Sequence, residues 1–269
     1  MALLRIPEPY DFALSTERFR AFGRDLSTLW HDGGLHRVVA GREVRIEAAP
    51  GGVEVEPLDA GTEPVVRRLL GLSFDLDAFR AFAAGDDVLA PLEGRLRGFR
   101  PPLQPDPWEA LVTSITAQQV SLHSASAIRS RLIERFGERV GHGWAFPLRA
   151  RIAAASEEEV VAVGFSRRKA EYLVALARSE LDLDGLASLT DEEVQAAITA
   201  QRGLGEWTAD WFLARHLGRP RAWPAGDLGL RKAVERFLGA VDDVRAAGER
   251  FEPFQNLAAH YLLLGLRVP

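Results

Sequence analysis

Residues 201–230 read QRGLGEWTADWFLARHLGRPRAWPAGDLGL, and this stretch is the most informative about the fold. The turn Gly203-Leu204-Gly205 leads directly into a segment whose apolar spacing predicts a helix. Such a turn places several backbone N–H groups at a helix N-terminus, where partial positive charge gathers and a phosphate can bind without a lysine. Asp227 follows at the start of the next predicted helix. The stretch therefore predicts a phosphate-binding turn with a carboxylate nearby.

Composition is typical of a globular protein with a substantial core. The chain has 269 residues, of which 47% are hydrophobic and 26% charged, and this length suits two or three domains or lobes. The absence of cysteine excludes disulfides, thiolate zinc sites and iron–sulfur clusters. The N-terminus lacks the apolar core of a signal peptide, and no apolar run reaches membrane-spanning length. We therefore expect a cytoplasmic protein with no membrane partner.

Charge is unevenly distributed along the sequence. The net charge of −5 disfavours a nucleic-acid partner, because affinity for nucleic acid comes largely from basic residues. Residues 202–236, however, hold seven basic and four acidic side chains, a local charge of +3. A local basic face of this kind is compatible with DNA binding, although solvated helices often carry similar runs.

The first hundred residues predict a mixed α/β domain. Apolar and polar residues alternate on both sides of the turn Pro50-Gly51-Gly52, which predicts an antiparallel hairpin within residues 36–57. Helices are predicted near residues 15–30 and 63–83. A proline-rich segment at 99–105 then predicts a boundary, which divides the chain into domains 1–100 and 101–269.

The second domain is predicted to be almost entirely helical. Asp106 with Pro107, and the capping-box pairs that begin at Ser156 and Thr190, are helix start signals. The fold class is therefore α+β. Apolar spacing predicts amphipathic helices near residues 107–120, 123–136, 157–163, 167–181, 190–200, 206–217, 227–239 and 252–266.

Four motifs in chain order carry a resemblance to a known family. They are EPYDF at 8–12, WEALVTSITAQQVS at 108–121, LTDEE at 189–193, and the turn followed by Asp227. Together they resemble the helix-hairpin-helix, Gly/Pro-Asp (HhH-GPD) superfamily of base-excision DNA glycosylases, in particular its AlkA-type DNA-3-methyladenine glycosylase II branch. The resemblance implies an N-terminal antiparallel-sheet domain and a two-lobed helical core, with the hairpin at about 199–208 and the active cleft between the lobes.

The resemblance also implies a reaction. A monofunctional enzyme of this kind hydrolyses the N-glycosyl bond of alkylated purines such as 3-methyladenine and 7-methylguanine, after flipping the base out of the duplex. Its partner is double-stranded DNA containing damaged bases. We expect a monomer that needs no organic cofactor.

Asp227 is the family's catalytic aspartate by this motif match. Breaking the bond between base and deoxyribose builds positive charge on the sugar, and a fixed carboxylate stabilises that charge or orients a water. Asp227 is also well placed as an ordinary cap of the helix that follows. The two roles are compatible.

Trp207 and Trp211 are four residues apart and therefore lie on one helical face. In AlkA-type relatives, aromatic residues here line the base pocket, and a π face attracts a cationic methylated purine by about 0.5–2 kcal/mol. The alternative is core packing. Relatives that also nick the strand have a lysine in the slot of Trp207, which cannot form a Schiff base, so no lyase activity is expected.

Gln118, Gln119 and Ser121 end the first core helix and are expected to contact DNA. By the motif match, Gln119 is the wedge that fills the space left by the flipped base. The alternative is an ordinary polar helix end.

The hairpin residues Gly203, Gly205 and Thr208 are expected to contact a DNA phosphate through their backbone amides. The hairpin in this family often also holds a monovalent cation, Na⁺ or K⁺. Here its ligands would be main-chain carbonyls, those of Thr199, Gln201 and Leu204.

Departures from the family pattern leave the lesion range open. Gln201-Arg202-Gly203 replaces Leu-Pro-Gly, while Gln255 and Leu263 stand where the family has other residues, a pocket tryptophan in the case of Leu263. Two alternatives therefore stand beside the alkylpurine glycosylase. One is a glycosylase for deaminated or oxidised purines, and the other is a noncatalytic DNA-damage-binding protein.

Overall fold

The N-terminal part of the chain forms a five-stranded antiparallel sheet. The computed structural model describes residues 1–268. The hairpin predicted within residues 36–57 is confirmed, with Ile46 opposite Val55. Gly52 lets the first strand approach, because a Cβ there would lie 2.2 Å from the carbonyl oxygen of Leu4. In the order in which they lie in the sheet, the strands are β1 (Ala2–Arg5), β5 (Gly52–Glu56), β4 (Arg42–Ala49), β3 (Gly34–Val39) and β2 (Leu29–His31).

The prediction of a helix near residues 15–30 is wrong. Two short helices, α1 (Phe12–Ser15) and α2 (Arg18–Ala21), cover only its beginning, and its end pairs with β3 as strand β2. Gly23 has a φ of +99°, a conformation through which a right-handed helix cannot continue. Pairing with the sheet therefore overrides the local helical spacing.

The helix predicted near residues 63–83 is divided into α3 (Glu63–Leu69) and α4 (Leu76–Ala83). Gly71 lies between them with a φ of +65°. A Cβ at Gly71 would lie 1.9 Å from the carbonyl oxygen of Pro101, so the proline-rich segment packs closely against this break.

All eight helices predicted in the second domain are present, with ends that shift by a few residues. The helices that follow α4 are α5 (Leu89–Arg95), α6 (Pro107–Ala117), α7 (Leu122–Phe136), α8 (Arg149–Ala153), α9 (Glu157–Ala162), α10 (Arg167–Arg178), α11 (Asp191–Thr199), α12 (Glu206–Phe212), α13 (Leu228–Leu238), α14 (Val244–Ala247) and α15 (Gln255–Gly265). The helix α12 continues as a π-helical turn, Leu213–Leu217. Helices α5, α8 and α14 and a small hairpin of β6 (Glu138–Val140) and β7 (Gly143–Ala145) were not predicted.

The helices pack around two hydrophobic cores, and the expected α+β class with a two-lobed helical core is confirmed. One core gathers α6, α7 and α10–α12 around residues such as Leu111 and Phe212. The other joins α4 and α5 to α13 and α15 around residues such as Phe79 and Tyr261. Helices that precede residue 100 therefore share a core with the C-terminal helices. The domain boundary predicted at residue 100 does not coincide with a division between cores.

A buried carboxylate ties the sheet to the first core helix. Glu109 of α6 is fully buried, and its Oε2 accepts a hydrogen bond of 2.6 Å from Arg37 of β3. Its Oε1 accepts from Ser27 at 2.5 Å and from Arg129 of α7 at 3.4 Å. Burial alone would raise the pKa of Glu109, but the positive charges of Arg37 and Arg129 outweigh it and lower the pKa.

Within residues 1–268, no helix combines the length and the hydropathy that crossing a membrane would require.

Glu109→Gln is expected to destabilise the protein by about 3–5 kcal/mol, because it leaves the buried guanidinium of Arg37 without a countercharge and leaves Arg129 with Asp25 alone. The lowered pKa means that the stabilisation by Glu109 is present above its unfolded pKa of about 4.3 and is lost as the pH falls through the folded pKa. Urea unfolding at neutral and acidic pH measures both effects, and the difference between wild type and variant should narrow towards acidic pH.

Glu63→Gln is the matched control. Glu63 pairs with Arg67 at 2.7 Å on an exposed helix face, so its loss should change the free energy of unfolding by less than about 1 kcal/mol. Equal effects of the two substitutions would contradict the role given to the buried cluster.

Candidate active site

A cleft of about 1310 Å³ is lined by residues of both helical lobes. It brings together most of the residues that the sequence singled out, although they come from separate segments of the chain. Those that line it are Gln118, Gln119, Ser121, Gly203, Leu204, Gly205, Trp207, Trp211, Asp227 and Leu263.

Asp227 is the N-cap of α13 and also a wall of the cleft. Its Oδ1 accepts a hydrogen bond of 2.9 Å from the amide of Leu230, and its own amide donates to the carbonyl of Pro224 at 2.8 Å. Within residues 1–268, Oδ2 makes no hydrogen bond. The cap therefore fixes the carboxylate through one oxygen and leaves the other available to the cleft.

Trp207 packs against the residue that precedes Asp227. A Cβ added at Gly226, the residue before Asp227, would meet the Cδ1 atom of Trp207 at 3.6 Å. Trp211 packs partly against the core of the first lobe while it also lines the cleft. Trp211 therefore contributes both to core packing and to the cleft wall. Trp207 is half-buried at the cleft wall.

Leu263 and Gln255, the two residues near the C-terminus that differ from the family pattern, lie in different surroundings. Leu263 lies next to Asp227, since its Cδ2 and the Oδ1 of Asp227 both lie near Gly229, at 3.1 and 2.9 Å from a Cβ built there. Leu263 thus supplies an aliphatic wall beside the carboxylate. Gln255 is buried and does not line the cleft, so its replacement leaves the pocket surface unchanged.

The hairpin turn is held to the end of α6 by a side-chain amide. The Nε2 of Gln118 donates to the carbonyl of Gly203 at 3.1 Å. Gly203 has a φ of +81°, and a Cβ there would lie 2.2 Å from the ring of Tyr172, which packs over the turn. Tyr172 was not predicted as a site residue, because it belongs to α10 and reaches the turn only through the tertiary fold.

The remaining hairpin residues are not equally accessible. Gly205 has open space where a Cβ would stand, so a ligand can approach its backbone. Thr208 is buried and its amide donates to the carbonyl of Gly205 at 2.9 Å, which gives no support to a DNA contact by Thr208. The carbonyl of Gln201 accepts from the amide of Leu204 at 3.1 Å.

Gln119 is exposed at the cleft rim with a φ of +54°, which is uncommon for a residue other than glycine. The chain turns sharply here because Ser121 starts α7 as its N-cap, accepting a hydrogen bond from Ser124 at 3.2 Å. The turn presents Gln119 to solvent, while Ser121 has a structural role of its own.

The cleft is basic, although the protein as a whole is acidic. Only two of its cations, Arg215 and Lys232, belong to the basic stretch 202–236. Others in that stretch are paired elsewhere, as Arg202 is with Glu171 at 2.5 Å. The cleft cations are Arg18, Arg168, Lys169, Arg215, Lys232 and Arg267.

No group of three or more His, Asp or Glu side chains within residues 1–268 could hold a metal ion.

The helix-hairpin-helix with its capped aspartate agrees with comparisons to known proteins. Residues 112–255 match the model of the HhH-GPD superfamily of base excision DNA repair proteins. The chain belongs to this family.

Individual relatives cover much or nearly all of the chain. A DNA-3-methyladenine glycosylase 2 from Escherichia coli is 30% identical over 75% of this chain and 73% of its own length. The structure of a 3-methyladenine DNA-glycosylase from Archaeoglobus fulgidus has a TM-score of 0.88 and 27% identity, covering 98% of this chain and 97% of its own.

A 3-methyladenine DNA glycosylase from Schizosaccharomyces pombe, in complex with abasic DNA, has a TM-score of 0.57 and 26% identity, covering 67% and 92% of the two chains. Among three further curated relatives, the match spans 42–67% of their own length.

Gly203→Ala is expected to destabilise the protein by about 2–5 kcal/mol. Alanine is strained in the left-handed conformation of this residue, and its Cβ would also clash with the ring of Tyr172. Gly33→Ala is the control, since Gly33 has the same φ of +81° with open space around it, and strain alone should be about 1–2 kcal/mol. Thermal and urea unfolding measure both. A Tyr172→Ala background should recover part of the difference, and failure to recover any would contradict the clash.

Proposed function

We propose that the protein is a monofunctional DNA glycosylase that hydrolyses the N-glycosyl bond of alkylated purines, such as 3-methyladenine and 7-methylguanine, in double-stranded DNA. The observation that carries the proposal is the Asp227 carboxylate, fixed by its helix cap in the basic cleft that Trp207 also lines, within the HhH-GPD fold. The Escherichia coli and Archaeoglobus fulgidus relatives named for 3-methyladenine support it. A monomer that acts in the cytoplasm stays a prediction.

The carboxylate acts on charge that develops in the sugar. As the bond between C1′ and the base nitrogen breaks, its electron pair leaves with the base and the deoxyribose becomes an oxocarbenium-like cation. Asp227 stabilises this cation, and water supplies the hydroxyl at C1′ while its proton is released. Leu263 makes this side of the cleft less polar, which strengthens the attraction between carboxylate and cation.

The indoles supply a permissive pocket for the flipped base. A methylated purine is already a good leaving group, so stacking on Trp207 and Trp211 serves better than an exact hydrogen-bond pattern. Gln119 then fills the space in the duplex, where its amide can hydrogen-bond the widowed base. Its exposed position at the rim supports this role.

The hairpin holds the strand by a phosphate. Open space lies where a Cβ of Gly205 would stand, directly before α12, and a helix N-terminus favours an anion. A monovalent cation on the carbonyls of Thr199, Gln201 and Leu204 would add charge at this turn. One lone pair of the Gln201 carbonyl is used by Leu204, and the second would be a cation ligand.

The absence of strand nicking is part of the proposal. Trp207 replaces the lysine that forms the imine in bifunctional relatives. The two lysines of the chain, Lys169 and Lys232, both line the cleft, but neither occupies that slot. The ammonium of Lys169 donates to the carbonyl of Thr116 at 3.0 Å, which holds it on α6.

Asp227→Asn is expected to reduce the rate of base release about a hundredfold or more while the protein remains folded. Asparagine caps a helix as well as aspartate does, but it cannot offset the charge on the sugar. Single-turnover release of 7-methylguanine from methylated DNA measures the rate, and circular dichroism checks the fold.

Asp243→Asn is the matched control, because Asp243 caps α14 in the same way, accepting from the amide of Arg245 at 2.7 Å, and lies outside the cleft. Its rate should equal that of wild type. Unchanged release by Asp227→Asn would rule out the mechanism. Binding of damaged DNA without release by wild type would favour the noncatalytic damage-binding alternative.

Gly205→Ala tests the phosphate contact separately. The new methyl group has room in the free protein, so stability should change by less than about 1 kcal/mol, but it occupies the approach to the amides. Affinity for DNA containing an abasic-site analogue should fall roughly tenfold or more. Gly94→Ala, which also meets no atom within 4 Å, should leave the affinity unchanged. Equal DNA affinity of the two variants would mean that the phosphate does not bind at the amides that follow Gly205.

A further inference from the structure

Arg245 joins the two helical lobes from outside the cleft. It belongs to α14, whose Val244 and Ala247 pack against the core of the second lobe, the one with α13 and α15. Its Nη2 donates to the Oε1 of Glu206 at 2.6 Å and to the Oδ2 of Asp210 at 3.0 Å. Both acceptors lie on α12, which packs in the core of the first lobe. They are four residues apart on one helical face, so a single guanidinium contacts two successive turns of α12.

Arg245 is held firmly on its own side. The Nε1 of Trp223, a buried residue of the second lobe, donates to the carbonyl of Val244 at 2.8 Å. Asp243 caps α14 by accepting from the amide of Arg245 at 2.7 Å. A Cβ at Gly248, directly after α14, would lie 2.7 Å from the ring of Trp223, so this short helix packs closely on the indole. The helix therefore presents Arg245 from a fixed position in its lobe.

The contact with Asp210 is the stronger of the two. Asp210 is buried, and its Oδ1 also accepts from the Nε2 of Gln195 at 3.0 Å. Burial raises the pKa of Asp210, and the hydrogen bond and charge of Arg245 oppose that rise. Glu206 is largely exposed, so its ion pair contributes less. Within residues 1–268, Arg245 is the only cation paired with Asp210, so its loss leaves a buried carboxylate without a countercharge.

The second lobe also holds the other end of this helix. Asn256 of α15 is fully buried, and its Nδ2 donates to the carbonyls of Ala214 at 3.1 Å and Arg219 at 3.0 Å. Ala214 lies in the π-helical turn that continues α12, roughly 12 Å along the helix from Glu206. Without Arg245, α12 can pivot about the contacts of Asn256, and the displacement is largest at its N-terminal end.

The N-terminal end of α12 carries a part of the cleft whose position matters for base release. Trp207 follows Glu206 directly, and its indole lies in van der Waals distance of Gly226, the residue before Asp227. A shift of this end therefore changes the distance between the indole that stacks on the base and the carboxylate of Asp227. Reactions between held groups are sensitive to such changes, since a misplacement of about 1 Å can cost about a hundredfold in rate.

We propose that Arg245 is a positioning residue for base release. Through Asp210 and Glu206 it holds the N-terminal half of α12, with Trp207, in a fixed position relative to Asp227 on α13. It touches neither the base nor the sugar, because it lies outside the cleft. This role rests on the proposed glycosylase function and adds to it a contact between the lobes.

Arg245→Met removes the charge and the donors but keeps an unbranched side chain. Single-turnover release of 7-methylguanine at saturating enzyme should fall about tenfold, because α12 and Asp227 lose their fixed spacing. Affinity for DNA containing an abasic-site analogue should fall less than about threefold, and its dependence on salt should be unchanged, because Arg245 makes no phosphate contact. Arg245→Lys retains the charge and should recover part of the rate.

Removal of all three charges separates positioning from folding. Glu206→Gln/Asp210→Asn/Arg245→Met leaves no buried carboxylate without a countercharge, so its melting temperature should lie closer to that of wild type than does that of Arg245→Met. Its rate of release should nevertheless stay low, because the contact between the lobes is still absent. Recovery of the rate together with the melting temperature would overturn the positioning role and leave Arg245 as a countercharge alone. The triple variant also measures the rate if Arg245→Met does not fold.

Arg135→Met is the matched control. Arg135 is about half exposed, as Arg245 is, and pairs with Glu159 at 3.0 Å. Both residues of this pair belong to the first lobe, on α7 and α9, so the pair does not join the lobes. Release of 7-methylguanine by Arg135→Met should be as fast as by wild type.

Three outcomes decide between the roles of Arg245. Equal rates for Arg245→Met and an active wild type overturn the positioning role alone. A slope of log affinity against log salt that is shallower by about 0.9 in Arg245→Met, with an unchanged rate at saturation, overturns it as well and assigns Arg245 to a DNA phosphate. Wild type that releases no base overturns the glycosylase function itself.

Discussion

The buried carboxylate of Glu109 is the interaction on which the arrangement of the molecule depends. It fixes the N-terminal sheet to α6 through Arg37, and the same helix ends at Gln118, which holds the hairpin through the carbonyl of Gly203. A helix is stiff and rises about 1.5 Å per residue, so the two contacts lie at a set distance. The sheet therefore helps to position the hairpin, although its strands do not line the cleft.

The cleft gathers positive charge, although the protein as a whole is acidic. A protein with a net charge of −5 gathers six basic side chains along one cleft, and these converge from helices in different parts of the chain. Low-dielectric walls such as Leu263 strengthen the field around Asp227, which is the setting in which a single carboxylate stabilises a developing cation best.

Local signals predicted a large part of the fold and of the site. Caps such as Asp106, Thr190 and Asp227 depend on a few consecutive residues, and these the sequence can show. The sequence could not show Tyr172 over the turn or Arg18 in the cleft, because each belongs to a helix distant in the chain. Strand β2 was missed for the same reason, since its pairing with β3 replaces a helical pattern. The sharing of one core by α4, α5 and the C-terminal helices likewise depends on long-range packing.

The proposed enzyme hydrolyses the N-glycosyl bond in this cleft without cutting the strand. The most direct measurement is chromatography of the bases released from DNA treated with a simple methylating agent, with the strand analysed in parallel before and after alkali. We expect free 3-methyladenine or 7-methylguanine and a backbone that breaks only in alkali. Strand breaks before alkali, together with an imine between the sugar and Lys232 or Lys169 that borohydride traps, would contradict the monofunctional mechanism. The absence of any released base would contradict the glycosylase activity itself.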